Sequence, residues 1–257
     1  MKSLKIPAYV FLALALFFIY APIAVMMLMG FNQSRINQFP FEFDLVWFEA
    51  LLHNERLLQG TGNSLLIAAT SSVIATAVGT LAALAMRGIR RRTRAFLNLL
   101  LIPPITIPWL ILAVALLLMF FWLRVDRSLL TLMLGHVTLQ IPYTVLIVST
   151  QYVTISSNYE DAAASLGASP FRIFGWVILP LIIPSVVAAF AFSFAISFDN
   201  FVVSYFLAPS GFSTLPVEIY TAIRTGFTPE INAVSTIVFF ASILLVLPAA
   251  RYLRFNF

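Results

Sequence analysis

Asp199 is the only carboxylate that falls clearly inside a long apolar run of this chain, in FSFAISFDNFVVSYF at 192–206. A carboxylate in a membrane interior is costly and marks a functional position. Phe198 and Phe201 flank it. A carboxylate between aromatic rings suits a cation, by charge attraction and by the negative ring faces. It suits sulfate, phosphate or molybdate poorly. At about 100° per residue, Ser193, Ser197, Asn200 and Ser204 share one narrow helical face, and Asp199 falls roughly 120° from it, beside Phe192 and Phe206. A regular helix cannot aim both sets into one pore. Either the helix is distorted here, or one face packs on a neighbour and the other lines a path. The expectation is that Asp199 faces the path and the serine face packs, because small polar side chains bond across membrane helices. The competing role for Asp199 is a fixed structural partnership with Asn63, Gln140 or a second subunit.

Other chemistries lack their residues. A phosphate-cradling Gly-x-x-x-x-Gly-Lys-Ser/Thr loop needs a lysine, and the only lysines are Lys2 and Lys5. ATP and magnesium must therefore sit on another polypeptide, and no cofactor is expected in this chain. There is no Gly-x-Ser-x-Gly elbow. His53 and His136 are far apart and neither has a metal-ligand spacing. His136, beside Gln140 and Pro142, reads as a buried histidine satisfied by a neighbouring helix. Cysteine is absent, which excludes disulfides and thiolate metal sites. One intramembrane aspartate is not the pair an aspartyl protease requires. No catalytic set and no metal site is expected.

The elements that would position Asp199 follow from composition. The 257 residues are 61% hydrophobic and only 10% charged, against about 25% charged in a soluble domain. Apolar runs near 8–31, 62–86, 96–122, 129–150, 176–207 and 231–250 approach or exceed the roughly 20 residues of a membrane span. Six spans in a single domain covering 1–257 are expected. The first run is longer than a signal-peptide core and no A-x-A site follows it, so it reads as a retained span. Prolines at 22, 103, 104, 108, 142, 180, 184 and 248 fit helices that bend.

Basic residues orient the spans. With the N-terminus inside, the inner segments carry ten (Lys2, Lys5, Arg87, Arg90, Arg91, Arg92, Arg94, Arg172, Arg251, Arg254) and the outer ones five (Arg35, Arg56, Arg124, Arg127, Arg224). Both termini are expected in the cytoplasm. The net charge of +5 does not imply nucleic acid: the Arg87–Arg94 cluster lies between two spans with no aromatics interleaved. It reads as a topology signal in contact with membrane lipids.

The inner segment SNYEDAAASLGASPFRIFGWVILP, 157–180, is the second chemically distinct stretch. Ser157-x-x-Glu160 has the spacing of a capping box. Glu160 and Asp161 place negative charge at the start of the helix. Ala162, Ala163 and Ala164 are strong helix formers with little bulk, and Gly167 suits a left-handed helix end. Ser169-Pro170 reads as a cap followed by proline at the first helical position. So short a helix is marginal alone. It either docks into a partner's groove or lies as an interfacial connector.

Here the sequence resembles the EAA signature of ABC-transporter permease subunits: Glu160, Ala162, Ala163, Gly167, Ile178 and Pro180 match it, with Asp161 in place of the usual first alanine. The resemblance implies an all-α permease of a bacterial inner membrane. It also implies a coupling helix at about 158–167 that docks on an ATP-binding subunit dimer. Glu160, Asp161, Ala162, Ala163, Ala164, Gly167 and Ser169 would form that docking surface. A second, non-identical permease chain and a periplasmic or extracellular solute-binding protein complete the expected set of partners.

The outer segment TLPVEIYTAIRTGFTPEINA, 214–233, reads as a short helix opening with Pro216 and Glu218 and ending at Gly226. Thr228-Pro229-Glu230 then opens the last run. Glu218 is a second point of cation attraction, or simply a helix-dipole partner. S-F-D-N-F-V-V-S at 197–204, L-P-V-E-I-Y at 215–220 and P-E-I-N-A at 229–233 resemble the second permease subunit of spermidine/putrescine importers. That branch often has two acids where this chain has Asp199-Asn200. The path residues so expected are Asp199, Asn200, Phe198, Phe201, Glu218 and Tyr220. The alternatives are a permease for another solute, such as ferric iron or an oxyanion, or an ion-coupled carrier that needs no ATPase.

Overall fold

The computed structural model describes residues 5–36, 38–226 and 228–255, with side chains described from 9 to 244. Its regular elements are helices: α1 (Lys5–Met29), α2 (Val46–His53), α3 (Glu55–Gly88), α4 (Arg91–Leu101), α5 (Pro103–Thr106), α6 (Trp109–Trp122), α7 (Leu129–Thr154), α8 (Asn158–Ser165), α9 (Pro170–Ile173), a π-helical turn (Phe174–Ile178), α10 (Leu179–Phe198), α11 (Phe201–Leu207), α12 (Leu215–Thr225) and α13 (Glu230–Phe255). Among the described residues, four helices are long and apolar enough to cross a membrane: Tyr9–Met29, Glu55–Gly88, Leu129–Thr154 and Pro170–Phe198. A fifth span exists if Arg91–Thr106 and Trp109–Trp122 count as one.

Two expected runs are not single helices. The run at 96–122 bends by 109° between Thr106 and Trp109. Its cause is local: Pro108 forces the residue before it out of the helical region, and Ile107 is extended at ψ 134°. The run at 176–207 is interrupted at Asp199–Asn200, between α10 and α11. By contrast, Pro22, Pro142 and Pro184 sit inside helices that continue past them.

The chain forms two compact units, Met1–Leu58 with Glu218–Leu245, and Gln59–Val217 with Val246–Phe257. In the first, Asn32 organises the segment after α1. Its Nδ2 donates to the Gln38 carbonyl at 2.9 Å, its Oδ1 accepts from the Glu42 N–H at 3.1 Å, and its carbonyl accepts from Trp47 Nε1 at 2.7 Å. This fold of the loop, and α2 within it, has no counterpart in the sequence expectations.

In the second unit α7 is the central helix. A true capping box starts it: Thr131 N–H donates to Ser128 Oγ and Ser128 N–H to Thr131 Oγ1. One apolar cluster joins Met86, Val145, Val148, Tyr152, Ile178 and Ile182. Another joins Ile67, Ala113, Leu132, Leu139, Val203 and Leu207. Glycines set the approach of the helices. A Cβ on Gly79 would lie 2.6 Å from Thr144 Cβ, and one on Gly135 would collide with Leu207 Cδ1.

Candidate functional site

Along α7 and α10 runs a seam of buried polar side chains. Gln140 Nε2 donates to Ser71 Oγ at 2.9 Å, and Ser71 Oγ lies 3.1 Å from Ser197 Oγ. His136 Nδ1 is 2.8 Å from Ser197 Oγ, and its Nε2 is 3.2 Å from Ser204 Oγ. Thr144 and Ser193 pair one turn further along at 3.2 Å. His136, Ser193, Ser197 and Ser204 are all under 5% exposed. The serine face of α10 and α11 is therefore packed on α3 and α7, where hydroxyls and an imidazole satisfy one another in place of water.

The break sits within this seam, between Ser197 and Ser204. Asp199 is exposed and its neighbours Phe198 and Phe201 are half-buried. Phe198 stacks on Phe194 with ring centroids 6.0 Å apart, and Phe201 meets Tyr205 at 5.2 Å. In the chain Asp199 thus falls between two aromatic pairs. Among the described residues its carboxylate accepts no hydrogen bond. Asn63 donates instead to the Ser213 carbonyl at 2.7 Å, and Gln140 donates to Ser71. Asn200, another residue expected along the path, caps a helix. It is 1% exposed and its Oδ1 accepts from Val203 N–H at 2.8 Å, capping α11. A freed helix start needs such an acceptor, and the break makes one necessary.

Glu218 is half-buried in the first turn of α12 and Tyr220, two residues on, is exposed. The helix is anchored at its start by Leu215 N–H donating to Ser64 Oγ at 2.9 Å, and Gly226, at φ 145°, follows its end.

The second candidate surface is α8. Asp161, Ala162 and Ala164 are exposed, Ala163 is half-buried, and Leu166 and Phe171 are each 89% exposed. Gly167 takes φ 80°. Ala168 N–H donates to the Ala163 carbonyl at 3.1 Å and Gly167 N–H to the Ala164 carbonyl at 2.9 Å, the Schellman arrangement that ends a helix. Ser169 precedes Pro170 in an extended conformation but makes no side-chain cap.

The expected Ser157–Glu160 capping box does not form; Ser157 is helical and makes no cap. Glu160 Oε1 instead takes Arg87 Nη1 at 2.8 Å. A charge-assisted bond to a guanidinium is stronger than one to a neutral backbone N–H. Arg87 also donates to the Ile155 carbonyl at 3.2 Å and lies 4.6 Å from the centre of the Tyr152 ring. Sequence reasoning placed Arg87 only in a basic cluster. Its position in the last turn of α3, where the other arginines are in or beyond the turn, was the available signal.

The model of the family of binding-protein-dependent transport system inner membrane components matches residues 75–255, which include α8 and the break. The chain belongs to this family. It is 32% identical over 237 residues to the spermidine/putrescine transport system permease protein PotC of Escherichia coli strain K12, covering 92% of this chain and 90% of that one. It is 31% identical over 236 residues to the putrescine transport system permease protein PotI of the same strain, with 89% and 84% covered. A solved bacterial ABC transporter that imports the acidic polysaccharide alginate has the same fold, with a TM-score of 0.77 at 16% identity over 98% of this chain and 96% of that one. This chain is a permease subunit of an ABC importer, a transport protein and not an enzyme.

Proposed function

We propose that this permease carries polyamines, spermidine or putrescine, across a bacterial inner membrane. The observation that carries the reading is Asp199: a carboxylate that accepts no hydrogen bond among the described residues, flanked in the chain by aromatic pairs at a break in a membrane helix, in a chain about one-third identical to polyamine permeases. A polyamine is a flexible cation, and a carboxylate with ring faces binds one by charge and cation–π attraction. Phe198 and Phe201 belong to that path, and Glu218 and Tyr220 are candidates for attraction on the outer side. Asn200 supports the path as the cap of α11 rather than as a contact.

In this reading the chain crosses the membrane six times with both termini in the cytoplasm, the bent pair counting as one span. It forms half of the path beside a second, different permease chain. A solute-binding protein delivers the polyamine from outside. ATP and magnesium act on a dimer of separate ATP-binding subunits. These dock on α8 through Asp161, Ala162, Ala163, Ala164 and the turn at Gly167 and Ser169, with Glu160 holding α8 from behind.

The test is uptake of labelled putrescine and spermidine by the assembled importer in vesicles, against sulfate and ferric iron. The expected result is polyamine uptake that Asp199→Asn lowers at least about tenfold, the effect of losing a charge-assisted contact of roughly 1.4 kcal/mol or more. Uptake specific for an anion and indifferent to Asp199→Asn refutes the proposal.

A further inference from the structure

One side chain holds both halves of the broken helix. His136 is 1% exposed. It bonds Ser197 in the last turn of α10 through Nδ1, and Ser204 in α11 through Nε2. Seven residues separate these serines, which in an unbroken helix places them about 10.5 Å apart along the axis. A single imidazole bonded at both ends spans less than that, so the bridge matches the broken helix and not a continuous one. Ser197 is held in turn by Ser71, and Ser71 by Gln140. The ring is therefore a link in a buried chain that ties α3, α7, α10 and α11 together. The break itself supplies little else across the seam: Asn200 Oδ1 caps α11, and Asn200 Nδ2 is without a partner among the described residues.

We infer that His136 is a positioning residue of the translocation path: by bonding Ser197 and Ser204 across the break, it sets the direction and depth of Asp199. This rests on the path reading of Asp199 above. It assigns to a residue far from Asp199 in sequence a control over solute affinity. Losing the bridge leaves Ser204 free to bond a carbonyl of its own helix one turn back, and the two halves then realign. Asp199 moves relative to Phe198 and Phe201, while the surrounding apolar clusters stay packed.

The absence of cysteine from this chain allows a clean test in an importer assembled with partner chains whose own cysteines, if any, are replaced. A single thiol at Asp199→Cys is probed with a membrane-impermeant cationic methanethiosulfonate, with Phe121→Cys, exposed on α6, as control. In His136→Leu and in Ser204→Ala the rate at 199 is expected to change at least about fivefold, the order set by a lost buried hydrogen bond, with no change at 121. Ser204→Ala removes one hydroxyl only and covers the case in which His136→Leu fails to assemble. His136→Gln, which keeps a donor and an acceptor, is expected to recover part of the parent rate. In uptake assays, His136→Leu is expected to raise the half-saturating putrescine concentration, and this effect is expected to vanish in an Asp199→Asn background. A reactive thiol at 199 whose rate stays within about twofold in both variants overturns the inference and leaves the path reading standing, as does an effect of His136→Leu that persists undiminished without Asp199. An Asp199→Asn importer with parental uptake overturns both.

Discussion

Replacing Arg87 tests how movement of α8 reaches the membrane helices. The guanidinium joins three things: the Glu160 carboxylate on α8, the Ile155 carbonyl at the end of α7, and the face of Tyr152. Tyr152 Oη completes the set with a 3.5 Å contact to Glu160. The paired side chains are 29% and 31% exposed, so the ion pair is partly screened. Exposed pairs contribute about 0.2–1 kcal/mol, and breaking a fully buried one costs about 3–5 kcal/mol. An intermediate value near 1 kcal/mol for the pair, about 1 kcal/mol for the carbonyl bond and about 0.5–1 kcal/mol for the ring contact place Arg87→Met at roughly 2–3 kcal/mol. Glu160→Gln keeps the last two and costs about 1 kcal/mol. A loss of 2 kcal/mol shifts the attached population of α8 by about thirtyfold. The measurement is solute moved per ATP hydrolysed by the assembled importer. The ratio is expected to fall severalfold in Arg87→Met and less in Glu160→Gln, with hydrolysis itself retained. In the double variant the losses should be less than additive by about 1 kcal/mol. Parental ratios in both single variants, or full additivity, would refute the idea that this pair ties α8 to α3.

Two glycines give further predictions. Gly167→Val must adopt φ 80° with a β-branched side chain, at about 1–2 kcal/mol or more. No heavy atom lies within 4 Å of the new Cβ, so the variant is expected to insert normally yet hydrolyse ATP without transport, while Gly167→Asn stays near parental coupling. Gly79→Val sets its Cβ 2.6 Å from Thr144 and is expected to cost about 1–3 kcal/mol by overpacking α3 against α7. The readout is a lower unfolding midpoint in detergent, with Gly62→Ala, which meets nothing within 4 Å, as the neutral control.

Much of the scaffold was legible in residue types and short spacings. Long apolar runs marked helices, and Gly167 and Gly226 marked helix ends. Each of these depends on interactions within one or two turns of chain, or on composition alone. The helical period also showed that the serines and Asp199 could not share one direction, and named both ways of resolving the conflict. The tertiary structure uses both at once: α10 packs its serines on α7, and the helix breaks at Asp199–Asn200.

Only the tertiary structure decided which polar groups meet. Glu160 had a local partner in Ser157 at the right spacing, but a guanidinium 73 residues away binds it more strongly. Asn200 had the character of a path residue, and the break turned it into a cap. His136 was identifiable as a buried histidine, but its bridge depends on two serines that the break draws within reach of one ring. A sequence specifies how many donors and acceptors a helix must bury; distance and geometry between helices select the pairs, because a hydrogen bond is lost within a fraction of an ångström.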